Sequence, residues 1–280
     1  MKTKWMIAGL VALCGMAQAG FVTIGNAGNA ADTTGYGAVG YTYQISQYEV
    51  TGAEFGSAVA SDSHIGLSTP NSGNNPAAYV SWLEAAKYCN WLTTGDAYLG
   101  AYQFDGSGNL TGVDRAAAIM AHGIVYALPT EDEWYKAAYF KPDASGYSLY
   151  ANGTATAPVK LVDSVYNYSF PWDVGHGKME QNGTYDMMGN VWEWNESAFD
   201  GTLDNMSEYR TVRGGGFSHV VDNLRSTTRN PGDPTGETYY VGFRVVAVNV
   251  IPEPATALSL ALGGLLIVGY RRMRKSYGHF

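Results

Sequence analysis

Gly183-Thr-Tyr-Asp-Met-Met-Gly-Asn-Val-Trp-Glu-Trp194 is the stretch on which the reading of this chain turns. Two Trp, one Tyr, two acids and two Gly share those twelve positions. A half-buried strand would make its apolar residues alternate, and a helix would repeat them about every 3.6 residues; this stretch does neither. It reads as a loop bound into a core. Two companions follow it, Arg213-Gly-Gly-Gly-Phe217 and Gly242-Phe-Arg-Val-Val246, and Ala127-Leu-Pro-Thr-Glu-Asp-Glu-Trp134 precedes it.

Upstream the chain is more regular. A hydroxyl residue followed three positions later by Glu marks a helix start, because each side chain satisfies the other's free backbone N–H. Thr51 with Glu54, Ser81 with Glu84 and Thr130 with Glu133 predict three such starts. On the second helix Trp82, Ala85, Ala86 and Cys89 fall on one face, which makes Cys89 a core residue; no cation at helical spacing there stabilises a thiolate. Residues 22–47 read as loop with short strands, Tyr41–Ile45 alternating, and Tyr102-Gln-Phe-Asp-Gly-Ser-Gly-Asn-Leu-Thr reads as a hairpin. Beyond Pro142 the chain is turn-rich and aromatic. Its 21 Tyr and 7 Trp suit irregular backbone held by buried rings whose polar edges satisfy loop amides. There is no internal repeat and no charge block.

The two ends carry address signals. Met1–Ala19 reads as a secretory signal peptide: Lys2 and Lys4, an apolar run from Trp5 to Met16, then Ala17-Gln18-Ala19 as a small-residue cleavage site. A lipoprotein anchor at Cys14 is the rival, with Leu13 where a small residue is expected. At the other end Ile251-Pro-Glu-Pro254 breaks regular structure, Ala255–Tyr270 is apolar, and Arg271-Arg-Met-Arg-Lys275 closes the run. That run is short against the ~20 residues of a spanning helix, and its basic end is expected on the cytoplasmic side. Residues 20–250 form one domain. Of 17 basic and 25 acidic residues, the first 19 positions hold two bases and positions 251–280 hold four bases and one acid, which leaves 11 against 24 and a net charge of −13 for the domain. Nucleic acid and anionic membranes are poor partners for such a surface. Without Cys14 the domain has Cys89 alone, so no internal disulfide forms.

Six blocks then stand in one order: Tyr48-Glu-Val-Thr51, Val80-Ser-Trp82 with Tyr88-Cys89, Leu128–Trp134, Tyr185–Trp194, Arg213–Phe217 and Gly242–Val246. Together they resemble the formylglycine-generating enzyme, or sulfatase-modifying factor, family over Phe21–Val246. The resemblance implies an α+β domain, the family's variant of the C-type lectin-like fold, with much irregular structure, short strands and a few helices. The tail (residues 251–275) resembles the PEP-CTERM sorting signal. That resemblance implies recognition by an exosortase and display or release outside the cell, a permanent single-span anchor being the other reading.

Function is argued from the site rather than the fold. The family's enzyme turns a sulfatase cysteine into formylglycine with dioxygen and copper held by two cysteines. The matching positions here are His219 and Leu224. An imidazole and an isobutyl group do not replace two soft thiolates, so neither copper nor formylglycine formation is expected. His64, His122 and His176 show no paired metal-ligand spacing with His219. The resemblance also implies a structural Ca²⁺ held by the Asp186 side chain, the Gly189 and Val191 carbonyls and the Glu193 carboxylate, a hard oxygen set; Asp186 and Glu193 as acceptors of loop amides is the alternative. A second family calcium site, around Asn167-Tyr168 and Asp173-Val-Gly175, is shortened. Phe217, Ser218, His219, Asp222, Asn223, Arg225 and Arg229 form the expected ligand surface, polar with one aromatic platform. Pairing with acids of the domain is the equal alternative for Arg225 and Arg229, while Arg213 and Arg244 are expected to serve the fold. The leading expectation is a non-catalytic extracellular protein that binds a glycan, an exopolysaccharide or another envelope protein. The alternatives are a metal-dependent oxidase or hydroxylase using His219, and a structural subunit of an envelope assembly.

Overall fold

The computed structural model describes residues 20–66, 71–203 and 205–249; the expectations for residues 1–19 and 251–275 lie outside them. Among the described residues the elements run β1 (Phe21–Ile24), β2 (Tyr43–Ser46), α1 (Gly52–Ser61), α2 (Trp82–Thr94), β3 (Tyr102–Phe104), β4 (Leu110–Val113), α3 (Arg115–His122), β5 (Val125–Ala127) and α4 (Glu131–Tyr139). The second half adds β6 (Trp192–Ala198), β7 (Arg210–Arg213), a 3-10 turn at Val221–Leu224, β8 (Asn230–Gly232), β9 (Val241–Gly242) and β10 (Val246–Val248). This is an α+β domain of mixed sheets and few helices. None of the described helices is long and apolar enough to cross a membrane.

The three capping boxes start α1, α2 and α4, each with both reciprocal bonds formed; losing such a cap costs about 1 kcal/mol. The sequence reading missed α3, because its cap Asp114 has Ala117 at the third helical position and so no returning Glu. Trp82, Ala85, Ala86 and Cys89 are fully buried as their spacing predicts, and burial pushes the Cys89 thiol well above its ordinary range. β3 and β4 form the expected hairpin.

Two four-stranded sheets organise the rest, in the orders β1-β2-β10-β5 and β8-β7-β6-β9. One correction concerns the opening stretch. Its first part is irregular as expected, but Trp192 onward is strand β6. Trp192, Glu193, Trp194 and Asn195 are all buried, and a strand covered on both faces loses the polar alternation that would reveal it.

Three arginine–glutamate locks hold the irregular segments. Arg115 bonds Glu133 and Glu196, the former also closing the α4 capping box. Glu131 takes Arg213 and Arg229, each through its Nε at 2.8 Å. Glu193 takes Arg244 through two bonds of 2.6 Å, both side chains fully buried. Arg213 and Arg244 thus serve the fold, as expected.

Candidate functional site

Register decides what the second sheet offers. Trp194 sits opposite Val212, Val212 opposite Asn230, and Trp192 opposite Val241. Opposed residues share a face, so these five form one side of the sheet, while Glu193 and Arg213 lie on the other. The segment 233–240 shares a cavity with that face through Asp233, Gly236, Thr238 and Tyr240. Between it and His219 opens a cleft of about 280 Å³ with Trp192 and Trp194 as floor and Asn230, Asp233, Thr238 and Tyr240 around it. This is at the small end of the ~300–1,000 Å³ of small-molecule sites. Gly232 keeps the floor flat, since a Cβ there would stand 2.2 Å from the Trp194 ring.

His219 is held on both sides. Its carbonyl accepts from the Asn167 N–H at 2.7 Å, and its N–H donates to the Gly216 carbonyl at 2.9 Å. Trp192 Nε1–H donates to His219 Nδ1 at 3.3 Å. An indole is only a donor, so Nδ1 is the unprotonated nitrogen and Nε2 carries the hydrogen. Burial lowers the imidazole's pKa, which favours this neutral form. The ring stands edge-on to Trp192 and Tyr240, with centroids 5.6 and 5.0 Å away. The buried Thr238 hydroxyl has no protein hydrogen-bond partner. Asp233 accepts from the Thr235 N–H and hydroxyl, and those bonds hold its carboxyl below the usual range, ionised. The cleft therefore combines flat aromatic walls with an N–H donor, a hydroxyl, an amide and a carboxylate.

The model of the sulfatase-modifying factor enzyme 1-like domain matches residues 16–249. The chain belongs to that family. It is 27% identical over 187 residues to the inactive C-alpha-formylglycine-generating enzyme 2 of Mus musculus, covering 60% of this chain and 48% of that protein. It is 28% identical over 139 residues to the hercynine oxygenase of Mycolicibacterium thermoresistibile, covering 42% of this chain and 31% of that protein. The chain spans about half or less of the length of these curated relatives. The crystal structure of CarF superposes with a TM-score of 0.61 at 20% identity over 81% of this chain and 97% of that one, a likeness of fold.

Of the family residues expected to form the ligand surface, His219 alone lines the cleft. Phe217 is a correction: at 3% exposure it is buried, its ring 5.9 Å from Tyr239, and Tyr239 supplies the exposed ring at this place. Arg229 takes the second of its two expected roles, with both its Nε and Nη2 bonding Glu131. Asp222 and Arg225 pair with each other at 2.8 Å on the surface, an arrangement worth little to stability. Ser218 is exposed and Asn223 half-buried. Leu224 is fully buried and packs beside Gly215, where a Cβ would meet its Cδ2 at 2.6 Å. The sequence reading missed Trp192, Trp194, Asn230, Asp233, Thr238 and Tyr240. One signal was available: Trp192 and Trp194 stand two apart, the spacing of one strand face.

The expected calcium donors divide. Asp186 has a left-handed backbone (φ 61°), and its side chain accepts from the Gly175 N–H at 2.6 Å. The Glu193 carboxylate is engaged by Arg244 and by Trp134 Nε1 at 2.6 Å. Around this pair lie more buried acids than one arginine balances. Burial raises Asp186 to about 6 and Glu180 to about 8. Glu49 is pushed well above its ordinary value, first by burial and then by Asp186, and its Oε2 has no hydrogen-bond partner. The unpartnered Glu49 Oε2 and the buried carboxyls near Asp186 are hard oxygen donors of the kind a divalent cation takes. Among the described residues no three His, Cys, Asp or Glu side chains gather as a metal-binding group.

Proposed function

We propose that this chain is an exported, non-catalytic, glycan-binding member of its family, on the C-type lectin-like variant of the fold. The supporting observation is the cleft, where a neutral His219 offers Nε2–H, Thr238 offers an unused hydroxyl, and Trp192 and Tyr240 flank both. The CH face of a sugar suits the rings, and its hydroxyls suit donors and acceptors placed together. The two family positions that would carry copper thiolates hold this imidazole and a packed isobutyl group. The oxidase reading draws its support from the likeness to hercynine oxygenase.

In this reading the N-terminal segment directs export, and an exosortase processes the Pro-Glu-Pro tail, so that the domain meets exopolysaccharide or an envelope protein outside the cell. A structural Ca²⁺ would be held by Asp186 with the carbonyls of Gly189 and Val191, Glu193 being shared with Arg244. Its part would be to neutralise buried carboxylates beneath the binding loops. A glycan array with the purified chain, repeated with His219→Ala and Tyr240→Ala, tests the proposal. Sugar binding lost in both variants supports it. Stoichiometric iron or copper that disappears in His219→Ala supports the oxidase reading instead.

A further inference from the structure

We infer that the ligand is an extended, neutral polysaccharide whose chain continues out of the cleft across an exposed tyrosine pair; this rests on the glycan-binding reading above. Tyr240 lines the cleft and is itself only half-buried. From there a line of rings runs to the surface, Tyr240 to Tyr239 at 4.9 Å and Tyr239 to Tyr79 at 6.4 Å between centroids. Tyr239 is 46% and Tyr79 44% exposed, so both rings reach solvent. They are not loose decorations. Tyr239 rests on buried Phe217. The Tyr79 N–H donates to the carbonyl of Thr238, a residue that lines the cleft, at 2.9 Å. Tyr79 also has a left-handed backbone with φ of 58°, a conformation disfavoured for a bulky residue. The fold thus holds Tyr79 in a strained position that presents its ring beside Tyr239, and such strain concentrates at ligand-binding places.

The chemistry of the surface selects the polymer. A terminal sugar would use only the cleft, and the two outer rings would then stand exposed with nothing to cover. A chain of sugars covers both, one unit beside the half-buried Tyr240 in the cleft and the following units on Tyr239 and Tyr79. A polyanion is disfavoured, because the domain carries a net charge of −13 and ionised Asp233 stands in the cleft. The donors and acceptors there, His219 Nε2–H, Thr238 and Asn230, match hydroxyl groups without needing a charged ligand.

Calorimetric titration of the purified chain with a neutral series of cello- and malto-oligosaccharides, from monosaccharide to hexasaccharide, tests this, with alginate as the polyanion. The expected result is affinity that climbs with oligosaccharide length in at least one series and exceeds that for alginate. Tyr79→Ala and Tyr239→Ala should each weaken hexasaccharide binding about ten-fold, equivalent to ~1.4 kcal/mol, and leave monosaccharide binding unchanged. His219→Ala should weaken both. Length-independent binding, unchanged hexasaccharide affinity in both tyrosine variants, or a preference for alginate would overturn the inference while leaving a glycan site in place. Absence of binding to every sugar tested would sink the functional reading and the inference with it.

Discussion

Replacing Arg244 by Met tests the account of the core most severely. Arg244 lies between β9 and β10 and spans both four-stranded sheets: it bonds Glu193 on β6 twice, and the carbonyls of Ser46, Gln47 and Tyr185. Methionine fills much of the same space and removes every donor. A fully buried carboxylate stripped of its partner costs about 3–5 kcal/mol, and each stranded carbonyl adds roughly 1–3 kcal/mol. Gln47 still receives the Tyr185 N–H, so two carbonyls, those of Ser46 and Tyr185, lose their side-chain donor. Glu49, Glu180 and Asp186 also lose the arginine charge that lowers each of them. A loss above about 5 kcal/mol is expected, a large share of the ~5–15 kcal/mol that holds a typical domain together. At ~2–4 °C per kcal/mol for a domain of this size, thermal unfolding followed by near-UV circular dichroism should show Tm falling by at least ~10 °C. Adding Glu193→Gln to Arg244→Met removes the stranded charge and keeps an acceptor for Trp134, so it should return part of the loss. A single Arg244→Met within ~4 °C of the parent, or a double variant worse than the single, would refute the reasoning.

Further expectations are more local. Calcium at a hundred-fold excess over its Kd should stabilise the chain by ~2.7 kcal/mol, seen as a higher Tm that Asp186→Ala abolishes; an unmoved Tm refutes a site there. The lowered pKa of His219 means that acidification protonates the unfolded chain before the folded one, so its contribution to stability falls as pH drops below the ordinary His value of ~6.5. Sugar affinity should fall at lower pH than that, as the folded chain's depressed imidazole protonates and places a hydrogen on Nδ1 against Trp192, and His219→Gln should flatten that profile in titrations. Gly189→Ala should fail to accumulate as folded protein in a solubility and proteolysis assay: with φ at 93°, its Cβ would lie 2.4 Å from the Val165 carbonyl. Thr130→Ala should cost only about 1 kcal/mol by denaturant titration, the value of one cap.

What could be seen in the sequence was what local chemistry decides. Capping boxes at Thr51, Ser81 and Thr130 are written within four residues, and the structure forms all three. The burial of Cys89 followed from helical spacing. Phe217 was misjudged because its exposure depends on Tyr239 and on a strand-like pairing of Tyr168 with its carbonyl, neither near it in sequence. The cleft was hidden for the same reason. Its floor and walls come from β6, β7, β8, β9 and two loops, and only register brings Trp194, Val212 and Asn230 onto one face. The sequence alone leaves Arg229 between ligand surface and ion pair, because its partner Glu131 lies nearly a hundred residues upstream.

The position of β10 has a consequence for how the chain acquires its shape. It lies between β2 and β5, bonded to both, so the first sheet is split until residues 246–248 arrive. The N-terminal strand can pair with β2 earlier, but the two halves of that sheet meet only when the last strand slots in. Such long-range closure is slow. A chain cut before residue 246 would leave β2 and β5 with unpaired backbone along that side, a ready template for pairing with another chain.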